Sequence, residues 1–276
     1  MRLLRPLLLC ALLAVLAGCA SMFSHHGARQ TGSIVDYLYP NASDAPAMQP
    51  MVTQLRPPVR VGIAFVPDAG HTDLPEAEKT RLLERVRDAF SQYQYIGHIE
   101  IIPSGYLRPR GGFDNLDMVA RMFNVEVMAL VSYDQIRFDD PNRLAVLYWT
   151  IVGAYLVNGD QYDVQTLLDA AVFDVKSRKL LFRAPGTSQV KGSATMANFG
   201  ERSRAAQLDG YRLAVDQLIP RLQNELVTFK ERIKSDPGYQ VVNKDGYRGG
   251  GAFGWADAAI AIWLLIMARW TLRRAG

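Results

Sequence analysis

The sequence predicts an α/β domain with a mixed sheet, and three observations carry that expectation. Strand and helix signals alternate over residues 59–133, antiparallel strand signals follow, and a long amphipathic helix closes the region. Val59, Val61, Ile63 and Phe65 alternate with Arg60, Gly62 and Ala64, the period-two pattern of a strand that stops at Val66-Pro67-Asp68. Asp73-Leu74-Pro75-Glu76 reads as a capping box with an early proline, opening a helix whose Leu82, Leu83, Val86, Ala89, Phe90 and Tyr93 share one face. Ile99 to Pro103 is a second strand, and Asp114 is placed to cap a short helix through Leu116, Val119, Ala120 and Phe123. Val125 to Tyr133 is a third strand, apolar enough to be central.

The pattern then changes to a meander. Leu144 to Val157 is an uncharged run of strand formers closed by Asn158-Gly159, a strong hairpin signal, and Tyr162 to Val175 returns from it. Lys176-Ser177-Arg178-Lys179 turns into Leu180-Leu181-Phe182. The last helix, Ser203 to Lys234, spaces Leu208, Tyr211, Val215, Leu218, Leu222, Leu226, Phe229 and Ile233 by threes and fours, with a kink expected before Pro220. That stripe covers a sheet face or, alternatively, a coiled-coil partner. The order of elements is similar to the amino-terminal domain of TolB and the periplasmic domain of the curli-secretion lipoprotein. Domains of that kind bind partners and do not catalyse, which is what the resemblance implies here.

Both ends carry targeting patterns. Arg2 and Arg5, the apolar Leu7 to Leu16 and the sequence Leu16-Ala17-Gly18-Cys19 read as a secretory signal of residues 1–18, too short to span a bilayer permanently. The four residues ending at Cys19 resemble a bacterial lipobox, which implies a covalent lipid on Cys19 and cleavage before it by the signal peptidase for lipoproteins. The alternative is a buried free cysteine. Ala20 and Ser21 lack the aspartate that, by the same resemblance, retains lipoproteins in the inner membrane, so outer-membrane delivery is expected. Cys10 lies within the signal, so the mature domain has no cysteine pair for an internal disulfide.

At the other end, Gly249-Gly250-Gly251 precedes the apolar run Ala252 to Trp270 and the cluster Arg269, Arg273, Arg274. As a helix that run would rise about 28 Å, close to the bilayer's hydrocarbon thickness, with its arginines on the cytoplasmic side. Glycine triplet, apolar helix and arginines together resemble the GlyGly-CTERM sorting signal, cut by the intramembrane protease rhombosortase. Three poor helix formers supply a strand such a protease can unwind. A permanent tail anchor with a glycine neck is the alternative. With the lipobox, and with tracts 148–155 and 181–186 similar to its core, the chain resembles the rhombotarget lipoprotein family, which implies no known activity.

The expected organisation is a signal over 1–18, a flexible tether over 19–58, an α/β domain over 59–234, a linker over 235–248 and a sorting tail over 249–276. The chain has 31 Lys+Arg and 27 Asp+Glu; without the signal's Arg2 and Arg5, and the tail's Arg269, Arg273, Arg274 and Asp257, 26 of each remain. No cationic surplus is left for nucleic acid, so none is expected as a partner.

Candidate chemistry is sparse. His25, His26, His71 and His98 show no zinc-site spacing, and G-x-S-x-G, P-loop and H-E-x-x-H motifs are not found. Gly111-Gly112 beside Arg110 is an anion site at a helix start or a plain turn. Asp134, Asp139 and Asp140 are carboxylates for acid/base work or calcium, or a solvated loop. Tyr148, Trp149, Tyr155 and Tyr162 concentrate aromatics in the hairpin and form the candidate contact surface, or they pack the core. No catalytic residue, metal ligand or cofactor beyond the lipid is expected. Two functions stand: a non-enzymatic envelope lipoprotein that binds or assembles with an unidentified envelope protein, or an envelope hydrolase whose site the sequence does not reveal.

Overall fold

Within the alternating apolar segments, the chain forms the mixed sheet the sequence predicts. The structure, a computed structural model, describes residues 26–40, 51–67, 74–141, 160–195 and 198–247. In chain order these form β1 (His26–Gly32), α1 (Ile34–Leu38), β2 (Thr53–Leu55), β3 (Val59–Phe65), α2 (Glu76–Phe90), β4 (Ile96–Ile101), α3 (Gly112–Met122), β5 (Val127–Pro141), β6 (Asp160–Asp174), β7 (Leu180–Ala194), α4 (Phe199–Ser235) and β8 (Tyr239–Val241). The main sheet runs β4-β3-β5-β6-β7. β3 is parallel to both β4 and β5, while β5, β6 and β7 are an antiparallel meander. β3 pairs with β5 as far as Val131, and antiparallel β1 takes over the same edge from Tyr133 to Asp139.

The period of two along β5 sorts its side chains into two cores. Val127, Ala129, Val131 and Tyr133 face α2 and α4, whereas Met128 and Leu130 face α1 and α3. Burial on both faces is why this strand reads as a nearly continuous apolar run. The single α/β domain is therefore layered, with helices on both faces of the parallel part.

The α4 stripe packs as its spacing predicts, with Tyr211, Val215, Leu218, Leu222, Leu226 and Phe229 all buried. At 37 residues the helix is about 55 Å long, matched to the roughly 50 Å of the 15-residue strands beneath it. Glycines bring the layers together: a Cβ on Gly186 of β7 would fall 2.2 Å from the Ala214 carbonyl oxygen, and one on Gly210 would fall 2.6 Å from Thr166 Oγ1. Around this approach Gln135 Nε2 donates to Thr166 Oγ1 at 2.8 Å and to the Gln207 carbonyl at 3.0 Å. Ser188 Oγ donates to the Gly210 carbonyl at 2.7 Å, a second polar link between helix and sheet.

Several expectations are corrected. The tether over 19–58 is not structureless where it is described, because β1 hydrogen-bonds β5, β2 pairs with β8, and Tyr37 and Leu38 of α1 are buried. Backbone pairing and two anchoring side chains hold a segment that lacks its own periodicity. The linker over 235–248 likewise contains β8, fixed parallel to β2. The third strand continues past Tyr133 to Pro141, and the partner of β6 is this strand, with Pro141 opposite Asp160. Leu144 to Val157 and the Asn158-Gly159 turn lie outside the described residues. α4 begins at Phe199 and passes through Pro220 without a break, since packing on the sheet outweighs one lost backbone hydrogen bond.

Two helix caps also differ. α2 starts after Pro75 with no side-chain cap, and Glu76 instead accepts from the Ser104 N–H and hydroxyl, both at 2.7 Å. Gly111 is the cap of α3, while Asp114 lies in the first turn and pairs with Arg178. Among the described residues no helix is long and apolar enough to cross a membrane; Ala252 to Trp270 lies outside them.

Candidate binding site

The sheet face under α2 and α4 is not completely filled. Val59, Val61 and Ile63 alternate along β3 toward this face, and β5 and β6 add Val127, Ala129 and Val172. Val86 and Phe90 of α2 and Leu222, Leu226 and Phe229 of α4 form the opposite wall, while Leu55 of β2 and Val241 of β8 close the lower end. Between them lies a cavity of about 280 Å³. Its walls are the residues that predict a core, and aromatic side chains cluster where α4 meets β7 and β8. Phe182 and Phe229 lie 5.4 Å apart, and Tyr239 meets Phe229 edge-on at 5.5 Å.

A few polar groups rim this space. Lys230 sits 4.9 Å over the Tyr95 ring, and Asn243 and Tyr247 complete the wall. Burial, with the neighbouring Tyr93 and Tyr247 phenols, pushes the Tyr95 hydroxyl up to about 12, so it remains a neutral donor across the ordinary pH range.

A second space of about 560 Å³ adjoins the first, and Leu55, Val59 and Val127 line both. Its character is opposite. Arg56, Arg60, Arg121, Lys176 and Arg178 face Asp117, Glu126 and Asp174 across it. All three carboxylates are engaged: Asp117 by Arg178 at 2.9 Å, Glu126 by Lys244 at 2.7 Å and by the Arg60 N–H at 3.1 Å, and Asp174 by the Ser177 N–H and hydroxyl at 2.7 and 2.6 Å. Among the described residues Arg56, Arg121 and Lys176 have no carboxylate within salt-bridge distance, and the buried Nε of Arg60 has no hydrogen-bond acceptor. Five basic side chains face three carboxylates, so the lining carries a cationic surplus.

The residues singled out from sequence are not brought together here. Cys19, Gly249, Gly250, Gly251, Tyr148, Trp149, Tyr155, His25 and His71 lie outside the described residues. Tyr162 is half-buried, edge-on to Phe199 at 6.1 Å and packed over Gly192. His98 is exposed on β4 and hydrogen-bonds Glu100 at 2.9 Å. His26 belongs to β1. Asp134, Asp139 and Asp140 belong to β5 rather than to a loop. Arg110 and Gly112 have positive φ, 57° and 67°, which makes this segment a turn into α3. Among the described residues no three His, Cys, Asp or Glu side chains gather as a metal site.

Sequence reasoning missed both spaces. Arg60, Arg121 and Lys176 are far apart along the chain and share no motif. An apolar stripe looks the same in sequence whether the face it covers is filled or open.

No protein-family model matches the chain, and no characterised protein matches it by sequence. Among solved structures it is similar to the PelC dodecamer from Paraburkholderia phytofirmans, at 13% identity over 71% of this chain and 96% of that one, with a TM-score of 0.29. A putative neuraminyllactose-binding hemagglutinin homolog from Helicobacter pylori is similar at 8% identity over 67% and 96%, with a TM-score of 0.39. A DUF330 protein from Xanthomonas campestris is similar at 10% identity over 69% and 94%, with a TM-score of 0.31.

Proposed function

We propose that this chain is an envelope lipoprotein whose domain is a non-enzymatic binding or assembly module. The reading of the domain rests on one observation: the cavity under α2 and α4 is walled by aliphatic and aromatic side chains, with a few polar groups at the rim, which is the composition of a site that holds a ligand. Its lining contains no serine, cysteine or histidine to act as nucleophile or base. Alternating β and α units followed by a meander and one long helix fit the TolB and curli-lipoprotein order, in which such domains serve as partner-binding modules.

Targeting follows from the ends of the sequence. The lipobox-like Leu16-Ala17-Gly18-Cys19 supports export, cleavage by the signal peptidase for lipoproteins and lipid attachment at Cys19. Two acyl chains suffice for stable anchoring. Gly249-Gly250-Gly251 and the apolar run after it support a transient inner-membrane helix that a rhombosortase-type protease removes, leaving an outer-membrane or surface protein.

Metabolic labelling with a palmitate analogue tests this function. Wild type takes up label, and Cys19→Ala remains as an unlabelled, uncut precursor in the inner membrane. Equal labelling of the two chains would remove the lipobox from the account.

A further inference from the structure

The apolar cavity and the cationic cleft meet along a shared border. Val59 and Arg60 are consecutive residues of β3, so their side chains leave on opposite faces of the sheet. Val59 lines the apolar cavity, Arg60 lines the cleft, and the lower end of the sheet, at Leu55, Val59 and Val127, borders both spaces. A ligand that turns around this end would meet a dry apolar wall on one side and unneutralised cations on the other.

We propose that the joined space binds an anionic single-chain amphiphile, its acyl chain in the cavity and its phosphate head in the cleft beside Arg60, Arg121 and Lys176. Four features set this ligand class. The cavity, at about 280 Å³, lies at the small end of ligand pockets, which suits one chain and not two. The lining of its deep part is hydrocarbon and aromatic, which offers an alkyl chain contact and a charged group nothing. The cleft's carboxylates are already held by Arg178, Lys244 and Ser177, so its remaining cations are available to an anion. Guanidinium groups in particular match the planar, bidentate geometry of phosphate oxygens, and the buried Nε of Arg60 lacks an acceptor.

The position of the site supplies an independent reason for a lipid, one that rests on the envelope reading above. Tyr247 lines the cavity and stands two residues before Gly249, so an inner-membrane helix starting at Ala252 would hold the cavity within a few residues of the bilayer surface. Single-chain amphiphiles partition there.

The test is photocrosslinking on the full chain in phosphatidylcholine nanodiscs. The probes are a lysophosphatidic acid with a diazirine in its acyl chain and a monoacylglycerol carrying the same chain. After irradiation, digested peptides are mapped by mass spectrometry. Wild type should be labelled by the anionic probe on peptides that hold Val61, Ile99, Phe182 or Leu226. Changing the three exposed cations together, Arg56→Gln, Arg121→Gln and Lys176→Gln, should lower that labelling about tenfold and leave labelling by the uncharged probe unchanged. Val61→Phe fills the cavity and should abolish labelling by both probes; a thermal melt by circular dichroism identifies any loss of fold, in which case Ala129→Leu takes its place. Inorganic phosphate that competes only with the head group should weaken the anionic probe alone.

Labels confined to residues 252–270 or to the Cys19 peptide would overturn the proposal, as would equal labelling of wild type and both variants. The same digest reports the mass of the Cys19 peptide. A labelled cavity beside an unlipidated Cys19 would sink the envelope reading and keep the ligand site, whereas a lipidated Cys19 beside an unlabelled cavity would do the reverse.

Discussion

Gly186 and Ala214 leave no room for a side chain between them: a Cβ on Gly186 would fall 2.2 Å from the Ala214 carbonyl oxygen and 2.8 Å from Leu218 Cβ. Both obstacles belong to a helix that cannot shift locally, because Tyr211, Val215, Leu218 and Leu222 bind its face to the sheet over several turns. Gly186→Ala should therefore displace α4 from β7 and cost about 2 kcal/mol or more, since overpacked cores lose stability of this order. Urea unfolding measures it as a lower midpoint. Gly200→Ala, where a Cβ meets nothing within 4 Å, is the control and should be neutral or slightly stabilising.

Glu76 makes stability depend on pH. Its partial burial raises the carboxyl, but hydrogen bonds from the Ser104 hydroxyl and N–H and the Lys79 charge outweigh that and hold it below its usual 4.5. A carboxylate depressed in the folded state adds stability above its unfolded value, and that stability is lost as the pH falls through the folded value. Glu76→Gln should thus destabilise the protein at neutral pH by about 0.5–1 kcal/mol, kept small by solvent screening of a side chain 46% exposed. Wild type and variant should converge as the pH falls through that depressed folded value. A constant difference across that range would mean the contact with Ser104 does not depend on charge.

The segment before β3 belongs to the folded unit. Tyr37 is 1% exposed and Leu38 3%, and the Tyr37 hydroxyl donates to Asn115 Oδ1 at 3.0 Å. Burial raises the ionisation of that phenol well above its usual value, so it stays a donor. Tyr37→Phe should cost about 1 kcal/mol, the usual value of a buried hydrogen bond whose acceptor keeps a second donor, here the Arg108 N–H at 2.8 Å. Limited proteolysis should leave a resistant fragment that retains Tyr37 and Tyr239. Trimming to Val59 without loss of stability would show that α1 and β2 are dispensable.

How much of this was legible in the sequence follows from the range of each interaction. α2, α3 and α4 announce themselves because each buries one face with its own local period, as Leu208 to Ile233 does, and β3 does so by the alternation of large side chains from Val59 to Phe65. β1 does not, because His26–Gly32 carries no apolar alternation and owes its conformation to backbone pairing with a strand about a hundred residues later. β2 and β8 are three-residue strands that exist only through each other, Thr53 beside Tyr239 and Leu55 beside Val241. The sequence motif at Asp73 to Glu76 does not reveal the role of Glu76, which bonds Ser104, a partner no local motif contains. The cavity was illegible for a similar reason: Val61 and Leu226 show which faces are apolar, and nothing local in either segment fixes how far apart those faces stand.

The two readings of the glycine triplet differ in what the mature protein contains. A helix in the bilayer resists proteolysis because its backbone is hydrogen-bonded internally, so a protease buried there needs a segment that unwinds at low cost. If the processing reading holds, Gly249, Gly250 and Gly251 would supply it, since glycine destabilises a helix by up to about 1 kcal/mol relative to alanine. Replacing all three with leucine should extend the apolar helix, remove the unwinding point and hold an uncut chain in the inner membrane. Such a chain could not follow its lipid to the outer membrane, so fractionation and cleavage report together. Intact mass spectrometry of the mature protein decides: wild type should lack Ala252 to Gly276, and the leucine variant should keep them. Wild-type protein that still carries Arg273 and Arg274 would make the segment a permanent anchor and remove rhombosortase from the account.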